Sequence, residues 1–120
     1  MMIVDLNKER DLEDLLERSK ADPVLIFKHS TQCSISTQAY EEFMDFIEGS
    51  GELVCGVVLV IENRELSNVI AERFKVRHES PQALLIKDGR ILWQASHWSI
   101  TSDSLGEALT AYVQSTHQRN

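Results

Sequence analysis

The chain has 120 residues, a length that fits one domain with its own core and no need of disulfide staples. Hydrophobic residues make up 42% and charged residues 26%, the balance of a globular protein, and no run of 18 or more apolar residues suggests a membrane span. Twelve basic against 19 acidic residues leave a formal charge of −7, with no cluster of Lys and Arg, so a phosphate backbone would repel the chain and nucleic acid is not an expected partner.

The first ten residues turn charged at once, without the apolar stretch of a signal peptide, and the expectation is a cytoplasmic protein that works away from membranes. Two cysteines, Cys33 and Cys55, are too few for a secreted disulfide framework, and in a reducing cytosol both begin as thiols. No linker, repeat or low-complexity segment divides the chain, so residues 1–120 read as a single domain. The polar end from about Thr116 to Asn120 is expected to fray.

In chain order, Asn7 reads as a helix N-cap, followed by Leu12, Leu15 and Leu16 at helical spacing. A short strand near Ile3 and Val4 is only weakly signalled. Pro23 stops the helix and suits the start of a strand, and Val24-Leu25-Ile26-Phe27 is a continuous apolar run of the kind buried on both faces of a sheet. Ile35, Ala39, Phe43 and Ile47 recur at four-residue steps and predict a helix that ends at Gly49-Ser50-Gly51. Leu53 to Ile61 predicts a second buried strand. Leu66, Val69, Ile70 and Phe74 mark a third helix. Ala83 to Ile86 and Ile91 to Trp93 form a hairpin around Asp88-Gly89, a turn dipeptide. Ser102-Asp103 opens a last helix, with Leu105, Ala108, Leu109, Tyr112 and Val113 inward.

A strand–helix–strand unit implies a parallel pair with a right-handed crossover, and the hairpin adds antiparallel strands to the same sheet. The expected fold is therefore α/β and thioredoxin-like: a mixed sheet of four strands, five if the Ile3–Val4 segment joins, flanked by helices.

Thr31-Gln32-Cys33-Ser34-Ile35-Ser36 is the passage from the first of these strands into a helix. A thiol attacks only as thiolate, and an ordinary cysteine titrates near pH 8.5, so few are ionised at neutrality. A helix N-terminus carries about half a positive charge and unpaired N–H donors, which favour a thiolate placed at Cys33. Ser36, three residues on, is a candidate to donate to the sulfur. Lys28 and His29 could add positive charge, in directions that the sequence leaves open. The polar neighbours Thr31, Gln32, Ser34 and Ser36 argue against Cys33 as a small core filler.

Cys55 lies inside an apolar strand, about 20 Å from its end near Ile61 at ~3.3 Å per residue. It is expected in the core and out of reach of Cys33, since a disulfide needs Cα atoms within about 7 Å. Ser80-Pro81 precedes the strand from Ala83. A cis bond there would leave the Ser80 backbone beside the Cys33 loop, free to pair with a docking peptide or thiol; a trans proline at a strand start is the commoner alternative. Trp93 is expected to pack half-buried on the sheet, and Trp98 to cover the core or line a groove. His29, His78 and His97 match no zinc spacing and are expected to be solvated, with no metal site.

Three segments taken together resemble the monothiol bacilliredoxins, the YtxJ-like family of thioredoxin-fold proteins: Phe27 to Ser36, His78 to Ile86, and Ser96 to Thr101. The resemblance implies that Cys33 is the reactive cysteine, supported by the loop residues Thr31, Gln32, Ser34 and Ser36, and that Ser80 and Pro81 dock the substrate. Ser34 departs from the family, which usually has proline there, and so loses a rigid first-turn residue. The implied activity is thiol–disulfide exchange: removal of bacillithiol, or a similar low-molecular-weight thiol acting as co-substrate, from mixed disulfides on cytosolic proteins, with no tightly bound cofactor. Two other classes compete with it. One is a non-catalytic thioredoxin-fold interaction module in which Cys33 is incidental. The other is an iron–sulfur or metal carrier like some monothiol glutaredoxins.

Overall fold

The computed structural model describes residues 2–49 and 53–118, with side chains to residue 112. The described residues form five strands and four α-helices: β1 (Met2–Asp5), α1 (Glu9–Arg18), β2 (Val24–His29), α2 (Ser34–Glu48), β3 (Val54–Leu59), α3 (Arg64–Phe74), β4 (Gln82–Lys87), β5 (Arg90–Ser96) and α4 (Ser102–Gln118), with one 3-10 turn at His97–Ser99 before α4. The sheet order is β1-β3-β2-β4-β5. β1, β3 and β2 run parallel, while β4 is antiparallel to β2 and β5 to β4.

The apolar runs become the inner strands because only those are covered on both faces. Val24, Ile26, Leu84 and Ile86 point to one side, into a core with Leu12, Leu15, Leu16, Leu66 and Ile70 of α1 and α3. Leu25, Phe27, Ala83 and Leu85 point to the other, onto Ala39, Phe43 and Ile47 of α2 and Leu105 of α4. Phe27 stacks on Phe43 with ring centroids 4.7 Å apart. β3 crosses beneath α1 at Gly56, where a Cβ would stand 2.7 Å from a Leu6 methyl and 2.8 Å from one of Leu15, so glycine is what lets the helix sit this close.

Several expectations are adjusted. The segment around Ile3 and Val4 is a true edge strand, paired with Cys55 and Gly56. The cap of α1 is Lys8 and not Asn7; the Asp11 carboxylate accepts the N–H of both, at 2.9 Å from Asn7 and 3.2 Å from Lys8. β2 begins one residue after Pro23, and β3 ends at Leu59, leaving Ile61 exposed in the following turn. Ile35 is only half-buried; the fourth buried position of α2 is Ser36. α4 continues to Gln118, past the point where fraying was expected. Ser50, Gly51, Asn120 and the Val113 side chain lie outside the described residues.

Candidate active site

Cys33 is the N-cap of α2, in extended backbone (φ −122, ψ 126), and its thiol is partly exposed. The helix starts there because the Cys33 carbonyl accepts the Thr37 N–H at 3.0 Å and the Thr37 hydroxyl at 3.1 Å. The first turn of α2 carries no acidic side chain, so no carboxylate competes with the sulfur for the positive end of the helix. Thr31, Gln32 and Ser34 are solvent-exposed, and Ser34 is the first helical residue.

Ser36 does a different job from the one expected. It is fully buried, and its hydroxyl accepts the Ser30 N–H at 2.9 Å and lies 2.7 Å from His29 Nδ1. The Ser36 hydroxyl, one donor with two acceptor lone pairs, joins the Ser30 N–H to the His29 ring, its role toward Nδ1 set by the histidine tautomer. The hydroxyl is thus committed to the loop behind Cys33 and not to the sulfur. His29 is buried, not solvated as expected, and stacks on Tyr40 of α2 with centroids 4.7 Å apart. Burial lowers its pKa against an opposing pull from Glu62.

Lys28 points to the other face of the sheet and is fully buried. Among the described residues its ammonium meets no carboxylate. It lies 2.8 Å from His78 Nδ1 and donates to the Ser67 carbonyl of α3 at 3.3 Å. Burial pushes Lys28 down to about 8 from the usual 10.5. Burial, then Lys28 and Arg64, lower His78, opposed by Glu79. His78 is otherwise exposed, as is His97. A residue following an apolar strand reads as its solvated end, so the sequence carries no signal that Lys28 is interior.

The Ser80–Pro81 bond is cis. Continuing the β2–β4 register by one residue from Lys28–Gln82 sets Pro81 level with His29, next to the loop that leads to Cys33. Pro81 is buried and its carbonyl accepts the His97 N–H at 3.1 Å. The Ser80 backbone enters no hydrogen bond among the described residues, and its hydroxyl is buried without a partner. Trp93 is half-buried on β5, as expected; Trp98 is 62% exposed and belongs to neither core cluster of the described residues.

Cys55 is fully buried within β3, level with Leu25, four residues before the end of β2. That distance is about 13 Å, shorter than the sequence suggests because the strand ends at Leu59. Burial pushes its thiol up to about 12, where it does not ionise. A recess at the opposite ends of the strands, lined by Arg18, Pro23, Val24, Leu53 and Leu109, holds none of these residues.

A partly exposed thiol at a helix N-terminus, with Pro81 level with the end of the strand that leads to it, fits a thioredoxin-fold protein of the thiol oxidoreductase class. The backbone agrees: a proposed oxidoreductase with a thioredoxin fold superposes with a TM-score of 0.81 at 33% identity, over 89% of this chain and 93% of that one. Fasciola hepatica thioredoxin matches with a TM-score of 0.72 at 22% identity, over 92% of this chain and 98% of that one, which bears on the fold alone. The family model described as Monothiol bacilliredoxin BrxC matches residues 4–105, so the chain belongs to the monothiol bacilliredoxin family. No helix among the described residues is long and apolar enough to cross a membrane.

Proposed function

We propose that Cys33 removes bacillithiol, or a low-molecular-weight thiol like it, from mixed disulfides on cytosolic proteins. The observation that carries the reading is the pairing of a partly exposed Cys33 with a buried, hydrogen-bonded Ser36 three residues on, where a dithiol protein would hold its second sulfur. The Cys33 thiolate attacks the small-thiol sulfur of the mixed disulfide. That S–S bond breaks, the protein cysteine leaves as thiolate and takes a proton from water, and the small thiol is now disulfide-bonded to Cys33. Ser36 cannot expel it, and Cys55 is buried in the core, so a second molecule of small thiol attacks and leaves as the symmetrical disulfide. Ser80 offers an unpaired backbone edge to the incoming peptide. No resident cofactor takes part. The test is a protein substrate carrying bacillithiol: wild type should release the thiol and Cys33→Ala should not. Equal release by both would overturn the reading. Mass spectrometry of the protein purified without reductant should show one small-thiol adduct, on Cys33.

A further inference from the structure

The segment from Arg77 to Ser80 joins α3 to β4 and carries the proposed docking edge, yet none of its residues enters a backbone–backbone hydrogen bond among the described residues. Two buried side chains from the sheet hold it. Gln82, 1% exposed, donates through Nε2 to the Arg77 carbonyl at 3.0 Å. Lys28 reaches His78 Nδ1 at 2.8 Å, with the Ser67 hydroxyl 3.2 Å from the same nitrogen. Lys28 and Gln82 are register partners on neighbouring strands, so the two ties leave the sheet side by side.

A lysine fully buried without a counter-charge is costly to keep. A methionine would fill the same slot with no desolvation penalty. What the ammonium adds is the cross-link: it joins β2, which leads directly into the Cys33 loop, to α3 and to the segment ending in Ser80–Pro81. We infer that Lys28 and His78 form a latch that positions the Ser80–Pro81 edge relative to Cys33, making both positioning residues for the docking of S-thiolated protein. The charged and titratable groups facing His78 are Lys28 from β2, Arg64 from α3 and its neighbour Glu79. With His78 neutral, Nδ1 accepts the Lys28 proton; a protonated His78 would set two cations against each other and open the latch. The inference rests on the proposed exchange at Cys33.

The test compares wild type with Lys28→Met, His78→Ala and His78→Asn by three measurements. The amides of residues 77–80 donate no backbone hydrogen bond among the described residues, so the latch is read from 15N relaxation, which needs no substrate: their order parameters should fall from the rigid range of about 0.85 to below about 0.6 in Lys28→Met and His78→Ala. His78→Asn keeps an acceptor near the Nδ1 position and should recover part of the order. KM for a bacillithiol-modified protein should rise several-fold in the same order, while alkylation of Cys33 by iodoacetamide, which needs no docking, keeps its rate. Tm of Lys28→Met should not fall. Unchanged order parameters over 77–80 overturn the latch, whatever the activity. Lower order with an unchanged KM overturns the positioning role. A lowered Tm with order lost over the whole chain makes Lys28 an ordinary structural residue and also overturns it. If wild type itself releases no thiol, the reading at Cys33 has failed, and the order of 77–80 still decides whether the latch exists.

Discussion

Replacing Ser36 tests the site where it departs most from a dithiol protein. In Ser36→Ala the Ser30 N–H and His29 Nδ1 both lose their partner, and His29 is buried. An orphaned buried polar group costs about 1–3 kcal/mol. Ser30 is only half-buried and can regain water, so the two together come to roughly 2–4 kcal/mol. For a chain of 120 residues, 1 kcal/mol moves Tm by about 4 °C, giving a fall of roughly 8–16 °C, readable by thermal or urea denaturation under reducing conditions. Ser36→Cys should lose about 1–2 kcal/mol when reduced, because a thiol is the weaker hydrogen-bonding group. It should also gain what the wild type lacks. Residues i and i+3 at a helix start lie within disulfide reach, so Cys33 and the new thiol should oxidise together and reduce insulin. The adduct of Cys33 with a small thiol should become short-lived, expelled from within. A Ser36→Ala protein within about 0.5 kcal/mol of wild type would refute the anchoring role, since changes that small are typical of surface sites. A Ser36→Cys protein that forms the disulfide yet leaves insulin untouched would refute the view that serine here withholds dithiol activity.

Cys55→Ser places an unpartnered hydroxyl among Leu25, Phe27 and Val57 and should cost about 1–3 kcal/mol in urea unfolding while leaving the Cys33 adduct unchanged; retained stability with a trapped adduct would make Cys55 the resolving thiol. His29 and His78 both have lowered folded-state pKa values, so the unfolded chain binds more protons below its own pKa of about 6.5. Their contribution is therefore present above that pH and is lost as pH falls below it, and the urea midpoint should drop between about pH 7 and pH 5. His29→Phe, which keeps a ring on Tyr40, should flatten part of that drop; an unaltered slope would refute the assignment. Lys28 follows the same sign at higher pH: stability should rise between about 8 and 10.5, and this rise should vanish in Lys28→Met.

Most of the framework was legible because it depends on local patterning. Val24 to Phe27 could only be an interior strand, the Ala39–Phe43–Ile47 stripe could only be one face of a helix, and Asp88-Gly89 set the hairpin, with both residues in the left-handed region the turn requires. Cys33 at the junction of strand and helix followed from those two elements, and the comparison of Cys33 with Cys55 followed from apolar against polar neighbours. β1 was barely visible, because an exposed two-sided edge strand carries no strong alternation and is fixed by its pairing with β3.

The polar side chains around the site were another matter. Lys28 and His29 are adjacent in sequence and both look like charge near the loop, but strand alternation sends them to opposite faces of the sheet, one to His78 and the other to Ser36. The residues that satisfy Lys28 stand 39 and 50 positions away, and the tie from Gln82 to the Arg77 carbonyl depends on how α3 hands over to β4. Hydrophobic residues declare their burial through periodicity, because water excludes them wherever they stand. A buried lysine or histidine is permitted only by the partners that the finished fold brings to it, and those partners belong to no local pattern.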